Sequence, residues 1–121
     1  MRPTPYTCGL EASLELLDGK WKPRLLWVML RKGVNRFGEM RRHVKGITEK
    51  MLIMSLKELE ADGVIERKDF HESPPRVEYT LTPLGLSLIQ TLIPLSDWGD
   101  QHMDYVVDLV AARAKAPPAE S

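Results

Sequence analysis

The sequence predicts a mainly helical α+β domain in which two helices joined by a tight turn are followed directly by an antiparallel hairpin and then by more helix. Three stretches carry that prediction. In "RFGEMRRHVKGITEKMLIMSLKELEADG" (36–63), apolar residues recur at helical intervals on both sides of a glycine. In "VIERKDFHESPPRVEYTLT" (64–82), apolar and polar residues alternate on both sides of a proline pair, the signature of two strands and a stiff loop. Thr82-Pro83 then ends the alternation with an N-cap residue and a proline suited to the first helical position. A helix-turn-helix followed by a hairpin is a winged helix.

The elements follow in order. Leu10, Leu14 and Leu17 at helical spacing, closed by Asp18-Gly19, predict a short first helix. Pro23 opens a second, whose body "LLWVML" is apolar on every side, as suits a helix in the middle of a small domain; Gly33 is its expected C-cap. Asn35 is the expected N-cap of a third, with Phe37, Met40 and Val44 on one face and Arg36, Arg41, Arg42 and His43 on the rest. Thr48 caps a fourth. Ile47 is placed to staple onto Leu52, and Leu52, Leu56 and Leu59 form a buried stripe that Gly63 terminates. That leaves Glu49, Lys50, Ile53, Met54, Lys57 and Glu58 facing outward on the helix expected to enter a DNA major groove.

In the hairpin, "ESPPR" is the expected wing tip, stiffened by Pro74 and Pro75 so that Arg76 is held out toward a phosphate or the minor groove. After Thr82-Pro83 the periodicity of Leu88, Leu92 and Leu95, then of Trp98, Tyr105 and Leu109, predicts helix nearly to the end, kinked or split at Pro94. The preceding elements leave little surface for this second apolar stripe, so Trp98, Tyr105, Val106 and Leu109 are expected to pack against another chain. The domain is expected to span 1–112, with 113–121 a disordered tail.

Composition bounds the function. A chain of 121 residues makes one domain, and its equal Lys+Arg and Asp+Glu counts of 17 argue at first against nucleic acid. The distribution reverses that argument: residues 20–50 hold ten Lys or Arg against two acids, Glu39 and Glu49. Within this order of elements, Lys50, Lys57 and Arg76 are expected to contact double-stranded DNA, with Arg36, Arg41 and Arg42 as phosphate clamps. No apolar run approaches the length of a membrane span, and "MRPTPYT" lacks the apolar segment of a signal peptide, so a cytoplasmic protein with no membrane partner is expected. His43, His71 and His102 have no metal-ligand spacing and no Gly-rich phosphate loop occurs; neither an enzyme nor a metal or cofactor is expected. Trp21, Trp27 and Trp98 read as core or interface residues, with Trp98 also a candidate for the wall of an effector pocket.

Cys8 is the single cysteine, which excludes an internal disulfide. It falls at the start of the first helix, where N–H groups and the helix dipole favour the thiolate, so it is a candidate sensor of an oxidant or electrophile; the competing reading is a small buried hydrophobe.

The chain resembles the HxlR family of bacterial transcriptional regulators, related to MarR-type winged helices. The resemblance rests on Cys8, "GKWKPRLLWVML" (19–30), "RFGEMRRHVKGITEKML" (36–52), "LKELEADGVIERKDF" (56–70), "PPRVEYTLTPLG" (74–85) and "DWG" (97–99). It implies a homodimer held by the first and last helices, hence Leu10 and Leu14 alongside Trp98, Tyr105, Val106 and Leu109, that binds palindromic operators as a repressor. It also implies a cysteine switch at the position of Cys8, as in some relatives. Members of the family often carry amides where this chain has Ile53 and Met54; amides read adenine, whereas Ile and Met offer apolar contact to a thymine methyl. That departure leaves room for an alternative of another class, a dimeric interaction module that has lost specific DNA binding, against which the basic residues retained on the same face argue.

Overall fold

The computed structural model describes residues 3–33 and 35–115. It divides into two compact units, residues 1–90 and 91–121. The first contains α1 (Gly9–Leu16), α2 (Lys22–Lys32), α3 (Phe37–His43), α4 (Glu49–Ala61), the strands β1 (Ile65–Asp69) and β2 (Val77–Leu81), and α5 (Pro83–Gln90). The second contains α6 (Ile93–Gln101) and α7 (Met103–Lys115).

The core of the first unit is built on the α2, α3 and α4 residues that the periodicities predict, whereas its α5 member, Ile89, lies outside the predicted Leu88, Leu92 and Leu95 stripe. Leu25, Leu26 and Met29 of α2, Met40 and Val44 at α3, and Leu52, Leu56 and Leu59 of α4 are buried, together with Val64, Ile65 and Ile89. Pro23 sits in the first turn of α2, and Gly33 ends that helix with φ 63°, a left-handed conformation that glycine adopts without penalty. Thr48 caps α4, its hydroxyl accepting the Met51 N–H at 3.1 Å, and Ile47 is buried beside the cap as the staple requires.

The third helix starts differently from the expectation. Its N-cap is Arg36, in extended conformation and without a side-chain cap bond. Asn35 is used by the sheet instead: its carbonyl accepts the Tyr79 N–H at 2.8 Å and its side-chain amide donates to Glu78 at 3.4 Å. The α2–α3 connection thus lies along the β2 edge, and the pairing consumes the residue that local sequence offers as a cap.

The hairpin pairs Ile65 with Leu81, Arg67 with Tyr79 and Asp69 with Val77. Its base is locked to α4 and α5 at Val64. The Val64 N–H donates to the Leu59 carbonyl (3.0 Å), and the Val64 carbonyl accepts the Thr82 N–H (3.1 Å). The Thr82 hydroxyl donates to the Gly63 carbonyl at 2.6 Å and accepts the Gly85 N–H at 3.0 Å, the N-cap predicted for α5. A β-carbon on Gly85 would collide with the Val64 carbonyl, so only glycine allows α5 to lie this close to the hairpin base.

In the second unit, Pro94 stands in the first turn of α6 rather than within a continuous helix, so the predicted interruption falls between α5 and α6. His102 separates α6 from α7, its ring stacked on Trp98 with centroids 4.2 Å apart. The α7 helix runs through Lys115, so 113–115, assigned in advance to a disordered tail, are helical; residues 116–121 lie outside the described residues.

Candidate nucleic-acid interface

The exposed side of α4 is set by its buried side. With Leu52, Leu56 and Leu59 turned into the core, Glu49, Lys50, Ile53, Met54 and Lys57 are exposed along the opposite face. Lys50 and Lys57 lie two turns apart in its centre, and among the described residues neither makes an ion pair. Ile53 and Met54 flank them, 39% and 46% exposed, side chains that the core leaves out. Arg42 on α3 is likewise exposed and without an ion pair among the described residues. Arg41 reaches Glu49 at 3.7 Å, tying the end of α3 to the first turn of α4.

Two of the outward residues are turned to other tasks. Glu58, predicted to face outward with the reading side chains, binds Lys22 of α2 at 2.7 Å. It fastens α4 to the domain, because the Lys22 ammonium lies in a nearly buried position that needs a counter-charge. Arg76 is the larger correction. It is not held out at the wing tip. Its guanidinium lies over Phe70, 3.5 Å from the ring centroid, and pairs with Glu72 at 3.0 Å and Glu78 at 3.3 Å. Its Nε is buried with no acceptor among the described residues. Two nearby carboxylates and an aromatic face outweigh the solvation that would have drawn the side chain outward.

The loop itself is built as a turn: the Asp69 carboxylate accepts the His71 N–H at 2.8 Å, His71 has φ 52°, and the Phe70 N–H bonds to the Arg76 carbonyl at 2.9 Å. Sequence reasoning missed Arg67. It shares the face of β1 that carries Ile65, is exposed, and borders the groove that Ile53, Lys57 and Tyr79 line between α4 and the hairpin. The strand alternation that places Ile65 inward carries that signal. It missed Glu78 as well, whose carboxylate lies 3.9 Å from Arg36.

Cys8 is the N-cap of α1 and is exposed, which excludes burial within the subunit. The N–H groups of Glu11 and then Leu10, at the open end of the helix, draw its thiol pKa below the ordinary value, with a smaller pull from the Thr7 hydroxyl. The Glu11 carboxylate closes that end, accepting from the Thr7 N–H (2.9 Å) and hydroxyl (2.6 Å). Leu10 and Leu14 of α1 are 67% and 53% exposed. In the second unit, Trp98, Tyr105, Val106 and Leu109 are also exposed. Trp21 and Trp27 are half-buried, each with an arginine over its ring.

A buried-backed helix with a cationic and apolar outer face, preceded by a short helix and followed by a hairpin, defines a winged helix-turn-helix protein of the DNA-binding class. The comparisons narrow this. The HxlR-like helix-turn-helix family profile matches residues 16–106, and the chain belongs to that family. The uncharacterised HTH-type transcriptional regulator YdeP of Bacillus subtilis (strain 168) is 42% identical over 106 residues, spanning 88% of this chain and 82% of the relative. The structure is similar to that of the redox regulator HypR in its reduced form, with TM-score 0.74 and 36% identity over 84% of this chain and 99% of that one. It is also similar to the reduced form of the transcriptional regulator YodB from B. subtilis, with TM-score 0.66 and 33% identity over 79% of this chain and 94% of that one. The protein is a transcription regulator of the HxlR/MarR type. None of its described helices is long and apolar enough to cross a membrane.

Proposed function

We propose that this regulator is a homodimeric repressor that sets α4 of each subunit into the major groove of a palindromic duplex, with Cys8 as its switch. The observation that carries the DNA contact is the exposed face of α4, where Lys50 and Lys57 stand without ion pairs among the described residues, between Ile53 and Met54. The two lysines, with Arg42, supply charge for phosphates or guanine edges, and the two apolar side chains suit thymine methyl groups. Thr48 and Glu49 stand at the α4 N-terminus, the end that leads into the groove in this docking geometry. Arg36, Arg41 and Arg76 are engaged by carboxylates and reach phosphate by exchanging those partners.

The exposed apolar residues of α1 and of α6–α7 support the dimer. Leu10 and Leu14, and separately Trp98, Tyr105, Val106 and Leu109, would on an isolated subunit leave large apolar side chains in water. Cys8 combines exposure with a lowered pKa, the two properties of a reactive thiol, and two structural relatives are described as a redox regulator and as a regulator in reduced form. With one cysteine in the chain, oxidation by a peroxide or disulfide ends in a disulfide between subunits or a mixed disulfide; an electrophile gives a thioether.

The test is duplex retention by purified protein across a salt series. For about 6–10 phosphate contacts per dimer, affinity falls on the order of a thousandfold or more between 50 and 200 mM salt. Binding that ignores salt, or none to any duplex, overturns the reading. Transcription in vitro from a bound promoter separates repression from activation.

A further inference from the structure

The basic surface of the first unit is charged unevenly, and one carboxylate accounts for much of the difference. Glu78 Oε2 lies 3.3 Å from Arg76 and 3.9 Å from Arg36, while Oε1 accepts from the Asn35 amide at 3.4 Å. Its side chain is only 23% exposed, so its charge is less screened than that of a surface glutamate. Glu72 adds a second carboxylate on Arg76 at 3.0 Å. Arg36, Arg76, Glu72 and Glu78 together therefore carry no net charge, whereas Lys50, Lys57 and Arg42 are uncompensated among the described residues. Lys68, the cross-strand neighbour of Glu78, makes no ion pair among the described residues and lies over the Phe70 ring at 4.7 Å.

We propose that Glu78 is a specificity-determining residue: its carboxylate occupies the place a DNA phosphate would take between Arg36 and Arg76 and holds both cations until a correctly registered duplex displaces it. A guanidinium binds carboxylate and phosphate through the same fork of N–H donors, so the two anions compete for it. Non-specific binding depends almost wholly on phosphate neutralisation, so two cations already paired contribute little to it. On an operator, base contacts from α4 fix the register and hold phosphates beside the wing, and the exchange then takes place at high local concentration. The carboxylate thus weakens binding to random sequence more than binding to the operator. Arg76 is stored in this state by its stacking on Phe70 and by Glu72, which explains why the wing does not extend it. The inference rests on DNA binding through this face.

The test is Glu78→Gln, which keeps the size and the capacity to accept from Asn35 and removes the charge. Affinity of the purified protein is measured across a salt series for a duplex enriched from a random library and for its scrambled counterpart. Affinity for the scrambled duplex is expected to rise about tenfold at low salt, and the slope of log K on log salt to steepen by about 1, close to 0.9 for the one cation left uncompensated while Glu72 still holds Arg76. The ratio of operator to scrambled affinity is expected to fall. A merely structural role for Glu78 would lower affinity without steepening the slope, and that result, or an unchanged slope, overturns the proposal. Should Glu78→Gln not fold, Arg36→Gln replaces it: the latch predicts a smaller loss of non-specific slope than Lys50→Gln causes, and an equal loss overturns it. Wild type without salt-dependent duplex affinity would instead overturn the DNA-binding reading itself.

Discussion

The Lys22 ammonium lies 2.7 Å from the Glu58 carboxylate, joining the first turn of α2 to the third turn of α4. Lys22 is nearly buried while Glu58 is half-exposed, so the two partners are not equivalent. Glu58→Ala leaves an ammonium without its counter-ion in a nearly buried site and is expected to destabilise the fold by about 1–2 kcal/mol, between the values for exposed and buried pairs. Lys22→Met replaces the charge with an apolar chain of similar length and is expected to cost clearly less. Urea unfolding of both variants checks the order; equal losses would mean that the ion pair itself, rather than the stranded charge, sets the effect.

Gly85→Ala is expected to be more damaging than its size suggests. The added carbon would meet the Val64 carbonyl, which is fixed by the Thr82 N–H, so backbone has to move to admit it. A loss of about 1–3 kcal/mol in the unfolding midpoint analysis is expected, and a neutral substitution would show that α5 can slide away from the hairpin base.

How far the sequence alone reaches is visible in these pairs. Thr48, Ile47 and the Leu52–Leu56–Leu59 stripe are legible because cap, staple and periodicity are local properties, and the order of elements followed from them. Glu58 and Arg76 fall on the predicted elements, but the partners they take within the subunit were not legible. Glu58 has the helical phase of a reading residue; only the packing of α2 against α4 brings Lys22 to it. "ESPPR" looks like a presented arginine because the prolines stiffen the loop, yet the hairpin register sets Phe70, Glu72 and Glu78 around the guanidinium. Asn35 was lost as a cap because the Tyr79 N–H claims its carbonyl at the outer edge of β2.

Cys8 is expected to alkylate in the folded protein with a pH profile shifted below that of an unperturbed cysteine. The sign follows from the donors: N–H groups of Glu11 and Leu10 stabilise the thiolate, so its fraction at a given pH rises and the rate reaches its plateau at lower pH. Iodoacetamide kinetics on native and urea-unfolded protein measure the difference. Operator affinity of wild type, but not of Cys8→Ser, is expected to change with diamide; equal responses would remove Cys8 from the switch.

Tyr105→Asp with Leu109→Asp places two carboxylates on the exposed apolar face of α7. Such a variant is expected to sediment as a monomer and to lose specific duplex binding, because charges cannot be buried unpaired in an interface. A stable dimer would put the interface on another face.

Whether α4 reads a duplex from a two-fold symmetric dimer is decided by enriching a random duplex library on the purified protein. Palindromic sites are expected, with half-site centres roughly 10 bp apart or a multiple of it. Thymines are expected at positions that Lys50→Ala leaves unchanged and that Ile53→Gln with Met54→Gln alters, since the apolar pair meets thymine methyls and the amides would seek adenine. Enriched sites without symmetry, or a library that returns unselected while the protein remains folded, would contradict reading by α4 from a symmetric dimer.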